Sequence, residues 1–131
     1  MKILLDTCEF LWLVSGDAKL SVPFAAAIRD PNNQVFLSAV SFWEISVKHN
    51  LGKLPLPQPP AQFILQQREK HFIAPLALDE TAVAQLGGLP ALHRAPFDRM
   101  LVCQAQAHGL TLASSDPLAT NCCNFLASPC Y

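Results

Sequence analysis

The chain has 131 residues, of which 51% are hydrophobic, and its formal net charge at pH 7 is −1. This length fits one domain of ordinary size, and the hydrophobic content is too high for an intrinsically disordered chain. A nearly neutral chain is not a general coat for nucleic acid, so any contact with a polyanion has to come from a local cluster of cations. We therefore expect residues 1–131 to form a single domain.

The first half of the chain alternates short apolar runs with segments of helical character. Two short apolar runs, residues 3–5 and 35–37, are typical of buried strands, because each is bounded by polar or turn-forming residues. Pro23 stands near the start of the second helical segment, where proline is tolerated. The predicted elements of this half are strand 2–5, helix 9–14, helix 21–28, strand 34–38 and helix 41–51.

A proline-rich segment, residues 54–60, divides the two halves and is predicted to be an extended connector. The elements predicted after it are helix 61–70, strand 72–76, a helix from 79 to about 87, a loop over 89–97, helix 98–108 and strand 110–114. Residues 124–127 are a candidate for a short edge strand. This alternation predicts an α/β fold, a three-layer α/β/α sandwich around a central parallel sheet of four or five strands.

The N-terminus and the cysteines bear on the cellular compartment. Asp6 follows the first apolar run too soon for a signal peptide, and no run approaches the roughly 20 residues that a membrane helix needs. The five cysteines form no C-x-x-C pair, which argues against a zinc site and favours reduced thiols. We expect a cytoplasmic protein that makes no contact with a membrane.

Four carboxylates occur near junctions between predicted strands and helices. Asp6 follows the first strand, Glu44 lies early in the helix after the second strand, Asp98 begins the helix before the fourth strand, and Asp116 follows that strand. In an open parallel sheet the carboxyl ends of the strands line one edge, where ligands bind. Carboxylates that meet there repel one another unless a cation holds them, and oxygen ligands favour Mg²⁺ or Mn²⁺. We therefore expect these four acids to form a hard-metal site for phosphoryl-transfer chemistry.

Each of the four acids also has a purely structural interpretation. Ser41 and Glu44 have the spacing of a capping box, in which the glutamate reaches back to the backbone N–H of the cap residue. Asp6, Asp98 and Asp116 could each be the N-cap of a helix. Four such coincidences at one edge of a sheet are less probable than one shared site.

Other polar and aromatic side chains lie near these acids in the sequence. Glu9 is expected to face solvent from its helix. The aromatic residues of the first and third predicted helices are candidates for a surface that a partner covers: Phe10, Trp12, Phe42 and Trp43. The cations that could form a local patch for a polyanion are Lys48, Lys53, Arg94 and Arg99.

Four segments of the chain form a recognisable set: residues 4–7 with Leu11 and Trp12, residues 38–45 with Lys48 and 51–54, residues 93–101, and residues 110–116. The Trp43-Glu44 segment and the segment from His93 to Arg99 are the more specific of them. With these segments the chain resembles the PIN-domain family, and within it the VapC-type toxins of toxin–antitoxin pairs.

The resemblance implies a Mg²⁺- or Mn²⁺-dependent endoribonuclease that a cognate antitoxin inhibits and that is usually a homodimer. Asp6, Glu44, Asp98 and Asp116 match the acidic metal-binding and catalytic positions of the family. Lys48, Arg94 and Arg99 are then the candidate RNA contacts. The sequence departs from the family at Cys8, at Ala95 and in the tail from residue 119 to 131, which does not resemble the usual final strand.

Two other functions remain open from the sequence. The first is a catalytically inactive PIN-like module that binds RNA or an antitoxin, although an intact set of acids argues against it. The second is a metal-dependent phosphatase of another α/β family. Such enzymes typically carry a second aspartate two residues after an aspartyl nucleophile, and Cys8 occupies that position here.

Overall fold

A computed structural model describes residues 1–89 and 96–114 and the backbone of residues 125–127. The strands in these ranges are β1 (Lys2–Leu5), β2 (Gln34–Ser38), β3 (Ile73–Leu76), β4 (Thr111–Ser114) and β5 (Phe125–Ala127). The α-helices there are α1 (Thr7–Ser15), α2 (Val22–Arg29), α3 (Ala39–Asn50), α4 (Pro60–Lys70), α5 (Glu80–Ala84) and α6 (Pro96–His108). A short 3-10 helix, Gln85–Gly88, continues α5.

The five strands form one parallel sheet in the order β3-β2-β1-β4-β5. The chain builds one side of the sheet from β1 to β3 and then returns to add β4 on the other side of β1, where Leu5 pairs with Ala113. This reversal makes the carboxyl ends of β1 and β4 the topological switch point, the place where open α/β sheets bind ligands. The predicted fold class is confirmed, including the fifth strand at the edge.

Alternate residues of β1 face opposite layers of the molecule. Ile3 and Leu5 belong to one buried cluster, which contains residues of α1, α2 and α4, whereas Leu4 belongs to a second cluster with residues of α6. Ile3, Leu4 and Leu5 are each completely buried. Because side chains alternate between the faces of a strand, a strand covered on both faces has to be apolar throughout. This explains the uninterrupted apolar run at the N-terminus and confirms the three-layer arrangement.

Helices α1, α3 and α6 each begin two residues before the predicted start, and two of these starts bear on the capping interpretations. Helix α3 begins at Ala39, and its N-cap is Ser38, whose Oγ accepts a hydrogen bond of 2.9 Å from the N–H of Val40. Ser41 therefore lies inside the first turn, and the predicted capping box of Ser41 and Glu44 is wrong. Helix α6 begins at Pro96, so the interpretation of Asp98 as its N-cap is wrong as well.

A buried glutamine joins α6 to the sheet. Gln104 is completely buried, and its Oε1 accepts a hydrogen bond from the hydroxyl of Ser38 at the end of β2. Its Nε2 donates to the carbonyl of Ala77, just after β3, at 3.3 Å. Helix α6, which carries Asp98, is thus fixed to the carboxyl ends of two strands. None of the helices in the described part of the chain combines the length and the apolar character needed to cross a bilayer.

Candidate active site

Asp6 lies at the switch point of the sheet. Its backbone N–H donates to the carbonyl of Ala113 at 3.0 Å, which extends the pairing of β1 with β4 by one residue. Its side chain is the N-cap of α1, with Oδ1 accepting from the N–H of Thr7 at 2.7 Å, while Oδ2 accepts from the hydroxyl of Ser114 at 2.8 Å. Both oxygens are oriented by these bonds, and the residue is only 8% exposed. The capping role predicted for Asp6 is therefore confirmed.

Thr7 connects Asp6 to the second acid. Its hydroxyl donates to Oε1 of Glu44 at 2.8 Å and lies 2.9 Å from the hydroxyl of Ser41. Thr7, Ser41 and Glu44 are all buried, so these bonds replace water that the polar groups have lost. Helices α1 and α3, which start at the ends of neighbouring strands, thereby bring two acids 38 positions apart in the sequence to one side of the sheet edge.

Lys48 neutralises part of the negative charge. Its Nζ lies 2.6 Å from Oε2 of Glu44, one helical turn away on α3. The Glu44 side chain is 7% exposed and that of Lys48 is 48% exposed, so the ammonium group reaches from solvent onto a buried carboxylate. The hydrogen bond to Glu44 is the main cause that raises the pKa of Lys48, and the charges of Glu44 and Asp98 act in the same direction.

Asp98 lies in the first turn of α6, and its side chain is partly buried. Its charge is felt at Lys48, which places it in the electrostatic surroundings of the Glu44–Lys48 pair. Cys8, the second residue of α1, lies near other acids of this region. Desolvation by the surrounding protein and then the charges of Asp6, Glu9 and Glu44 raise the pKa of its thiol to about 11, although Lys48 opposes the shift. The edge of the sheet is therefore a region of negative potential.

The structure describes only part of the predicted site. Asp116 lies outside the described residues, as does Arg94. Within residues 1–89 and 96–114, no group of three or more His, Cys, Asp or Glu side chains is arranged to hold a metal ion. Asp6 and Glu44 are brought together through Thr7, and Asp98 approaches from α6. The four-acid metal site stays a prediction.

The cations divide into different environments. Lys48 is at the site, whereas Arg99 lines an apolar groove with Val40 and Trp43 on the adjoining surface. The expected RNA contacts of Lys48, Arg94 and Arg99 stay predictions.

The expectation that Glu9 faces solvent is wrong, because Glu9 is completely buried. The sequence held a signal for this: Glu9 is four residues before Leu13, which is buried in the core, so the two share a helix face. Glu9 is also three residues after Asp6, one turn away, and contributes to the negative field at Cys8. It is a fourth described acid on this side of the molecule.

The PIN domain family model matches residues 3–118 of the chain. Among curated proteins, Ribonuclease VapC16 of Mycobacterium tuberculosis (strain ATCC 25618 / H37Rv) is 37% identical over 68 residues, which are 50% of this chain and 48% of that protein. The match thus spans about half the length of the curated relative.

Two solved structures have the same fold. VapBC2 from Rickettsia felis, bound to a DNA fragment from their promoter, superposes with a TM-score of 0.72 at 13% identity over 98% of both chains. VapBC-1 from nontypeable Haemophilus influenzae gives a TM-score of 0.65 at 17% identity, over 97% of this chain and 98% of that one. The sequence match over most of the chain and the agreement in fold confirm the resemblance: the chain belongs to the PIN-domain family.

Proposed function

We propose that this chain is a metal-dependent endoribonuclease, the toxin of a type II toxin–antitoxin pair, which hydrolyses RNA phosphodiester bonds with a carboxylate-held Mg²⁺ or Mn²⁺. One observation carries the proposal: buried Asp6 and Glu44 are joined through Thr7 at the switch point of a PIN-domain sheet. The similarity to Ribonuclease VapC16 supports RNA as the substrate.

The chemistry of the described donors suits a hard divalent ion. Asp6, Glu44 and Asp98 offer carboxylate oxygens, the ligands that Mg²⁺ and Mn²⁺ favour, and the ammonium of Lys48 already compensates one of these charges. Asp6, Glu44, Asp98 and Asp116 would hold the ion. When bound, such an ion lowers the pKa of water and stabilises charge on a phosphate.

The surrounding residues hold the acids in place. The hydroxyl of Ser114 and the N–H of Thr7 fix both oxygens of Asp6, and the hydroxyl of Thr7 fixes Oε1 of Glu44. Lys48 can leave Glu44 for an RNA phosphate, because its side chain is already half exposed to solvent. We propose Arg94 and Arg99 as further contacts to the RNA backbone.

Two apolar surfaces are suited to binding other proteins. Trp12 lines a groove of about 450 Å³ between α1 and the proline-rich connector, which suits the apolar face of an antitoxin helix. Trp43 is 58% exposed on α3, which suits contact with a second copy in a homodimer. The fold shared with VapBC structures supports an antitoxin as partner. A single domain that acts on RNA in the cytoplasm completes the proposal.

Asp6→Asn tests the proposal directly. Asparagine keeps an oxygen that can cap α1, so the fold should persist while the negative charge is lost. We expect wild-type protein to cleave single-stranded RNA in Mn²⁺ and to stop in EDTA, and Asp6→Asn to be slower by about a hundredfold or more. Mn²⁺ at about one hundred times its Kd should also stabilise the wild type by about 2.7 kcal/mol and raise its Tm by several degrees.

Asp17→Asn is the matched control, because Asp17 also accepts a backbone hydrogen bond, from Lys19 at 2.9 Å, but lies in a turn away from the site. It should cleave and respond to Mn²⁺ like the wild type. Cleavage by Asp6→Asn at the wild-type rate would contradict the proposal. A wild type that binds Mn²⁺ or RNA but never cleaves would instead favour the inactive binding module.

A further inference from the structure

Phe72 has a backbone conformation that its side chain does not favour. Its φ is +55°, in the left-handed region, directly after helix α4. Among the residues that the structure describes, the others with positive φ are Gly16, Gly52 and Gly109, which follow α1, α3 and α6. Glycine is the usual residue just past a helix end because it has no Cβ to clash. Phe72 is therefore the exception to the chain's own pattern.

Packing does not explain the phenylalanine either. Its residue surface is 91% exposed, the largest value among the exposed large hydrophobic residues of the described ranges. A residue that is strained in its backbone and contributes nothing to the core lowers both stability and solubility. Strain of this kind is found at ligand-binding positions, where function rather than folding keeps the residue.

The groove beside Phe72 is lined by cations. Its volume is about 660 Å³, and the cations Arg29 and Lys70 lie along it together with His71, while Asp30 is the acid among its lining residues. The Oδ1 of Asp30 is engaged by the N–H of Asn32 at 2.9 Å. Burial and then the positive charges of Lys70 and Arg29 lower the pKa of His71. Cations at the ends of α2 and α4 also favour the helix dipoles, but that role does not require an exposed aromatic ring between them.

His71 adds a polar group turned away from water. Its Nε2 is buried and has no hydrogen-bond partner among the described residues. An exposed aromatic ring beside cations is the combination by which proteins hold single-stranded nucleic acid, the ring stacking on a base and the cations contacting phosphates.

We propose that this groove binds one nucleotide of a single-stranded RNA, with the base stacked on Phe72 and the phosphate held by Arg29 and Lys70. The inference rests on the proposed function and extends it to a second RNA contact. The groove lies where β2 and β3 begin, opposite the carboxylate site at the ends of β1 and β2. Strands of four or five residues separate the two by roughly 15 Å, so this contact is remote from the bond that is cut.

The test is fluorescence anisotropy with a 5′-labelled single-stranded RNA of about 12 nucleotides in EDTA, where binding is measured without cleavage. Phe72→Asn removes the ring and places a residue that tolerates positive φ, so its Tm should stay level or rise by a few degrees. Its RNA affinity should fall roughly tenfold. Arg29→Gln should weaken binding and reduce the slope of log K against log salt by about 0.7.

Two exposed residues outside the groove provide matched controls. Leu65→Asn removes an exposed apolar side chain from α4, and Lys19→Gln removes an exposed cation; both should bind RNA like the wild type. Unchanged binding by Phe72→Asn overturns the inference, even if that variant loses a protein partner. An equal loss of RNA affinity in the groove variants and in the controls would overturn the inference as well.

Cleavage of the same RNA in Mn²⁺ separates this inference from the proposed function. If the wild type binds RNA through Phe72 but cleaves no faster than Asp6→Asn, the ribonuclease proposal fails and the proposed RNA binding by the groove is retained. If the wild type cleaves RNA and Phe72→Asn binds RNA normally, the proposed RNA binding by the groove is excluded and the ribonuclease proposal is retained.

Discussion

Thr7 shows how one residue can both begin a helix and connect two buried acids. It is the first residue of α1, its N–H is capped by Asp6, and its hydroxyl holds Glu44 on another helix. A buried carboxylate is tolerated only when hydrogen bonds or charges compensate for the water it has lost. Asp6 and Glu44 receive that compensation from Thr7, Ser114 and Lys48.

The first residue-scale prediction concerns Glu44→Gln. Glutamine keeps an oxygen for the hydroxyl of Thr7 and removes the charge that a divalent ion requires. Lys48 loses its partner, but its side chain is 48% exposed and can return to water. Without metal, the free energy of unfolding should change by less than about 1 kcal/mol. RNA cleavage should fall by orders of magnitude.

Urea denaturation in EDTA and cleavage in limiting Mn²⁺ measure the two effects. Glu69→Gln, which changes an exposed glutamate of α4, should leave both unchanged. Glu44→Gln that cleaves RNA at the wild-type rate would show that Glu44 is structural.

At this scale the sequence indicated which acids lie at strand ends, but not the hydrogen bonds that hold them in place. Acids after apolar runs were predictable, because strand ends in a parallel sheet meet at one edge. The pairing of Thr7 with Glu44 was not, since it depends on how two helices pack across 37 positions of sequence. The capping box of Ser41 and Glu44 was misassigned because Ser38, three residues earlier, supplies an equally good cap.

At the scale of elements, Gln104 determines how α6 sits on the sheet. It accepts from Ser38 and donates to the carbonyl of Ala77 from a completely buried position. Gln104→Leu should lower the free energy of unfolding by about 1–3 kcal/mol, because Ser38 and Ala77 would keep buried polar groups without this partner. RNA cleavage should fall with it, since α6 carries Asp98.

Chemical denaturation measures the loss in Gln104→Leu. Gln66→Leu, on the exposed side of α4, is the control and should stay within about 0.5 kcal/mol of the wild type. Equal stability of the two variants would mean that the buried hydrogen bonds of Gln104 do not hold α6 in place.

Element boundaries show where local sequence patterns are insufficient. The third strand was predicted to begin at Phe72 because phenylalanine favours strands. The strand begins at Ile73, and Phe72 instead follows His71, the C-cap of α4, with a positive φ. Residue propensities favour glycine or asparagine just past a helix end, so they do not predict a phenylalanine with positive φ there.

At the scale of the whole molecule, the class of the fold followed from the alternation of apolar strands and helices. The order of the strands did not, because local pattern does not say that β4 returns to the free side of β1. That return creates the switch point, and with it the proximity of Asp6 and Ser114, which are 108 positions apart. The proximity of Asp6 and Ser114 is therefore a property of the topology, whereas Asp6 alone could be identified from the sequence.

Assembly is the other property of the whole molecule. Trp43 is 58% exposed and packs edge-to-face on Phe97, with ring centroids 4.8 Å apart. It lines an apolar groove of about 360 Å³ to which Leu78 and Leu86, both also exposed, contribute. Burying such a patch against its counterpart in a second copy would give a two-fold dimer, in which the same surface serves both subunits.

We predict that Trp43→Glu converts a homodimer into a monomer, because a carboxylate would be forced into the apolar centre of the interface. Buried tryptophans at interfaces contribute about 2 kcal/mol or more, so the dimer Kd should rise at least about tenfold. Sedimentation velocity over a range of concentrations measures the change, and far-UV circular dichroism checks the fold.

Leu65→Glu, which places the same charge at an exposed leucine of α4, should leave the dimer intact. A wild type that sediments as a monomer at every concentration, or a Trp43→Glu variant that still dimerises like the wild type, would exclude this surface as the dimer interface.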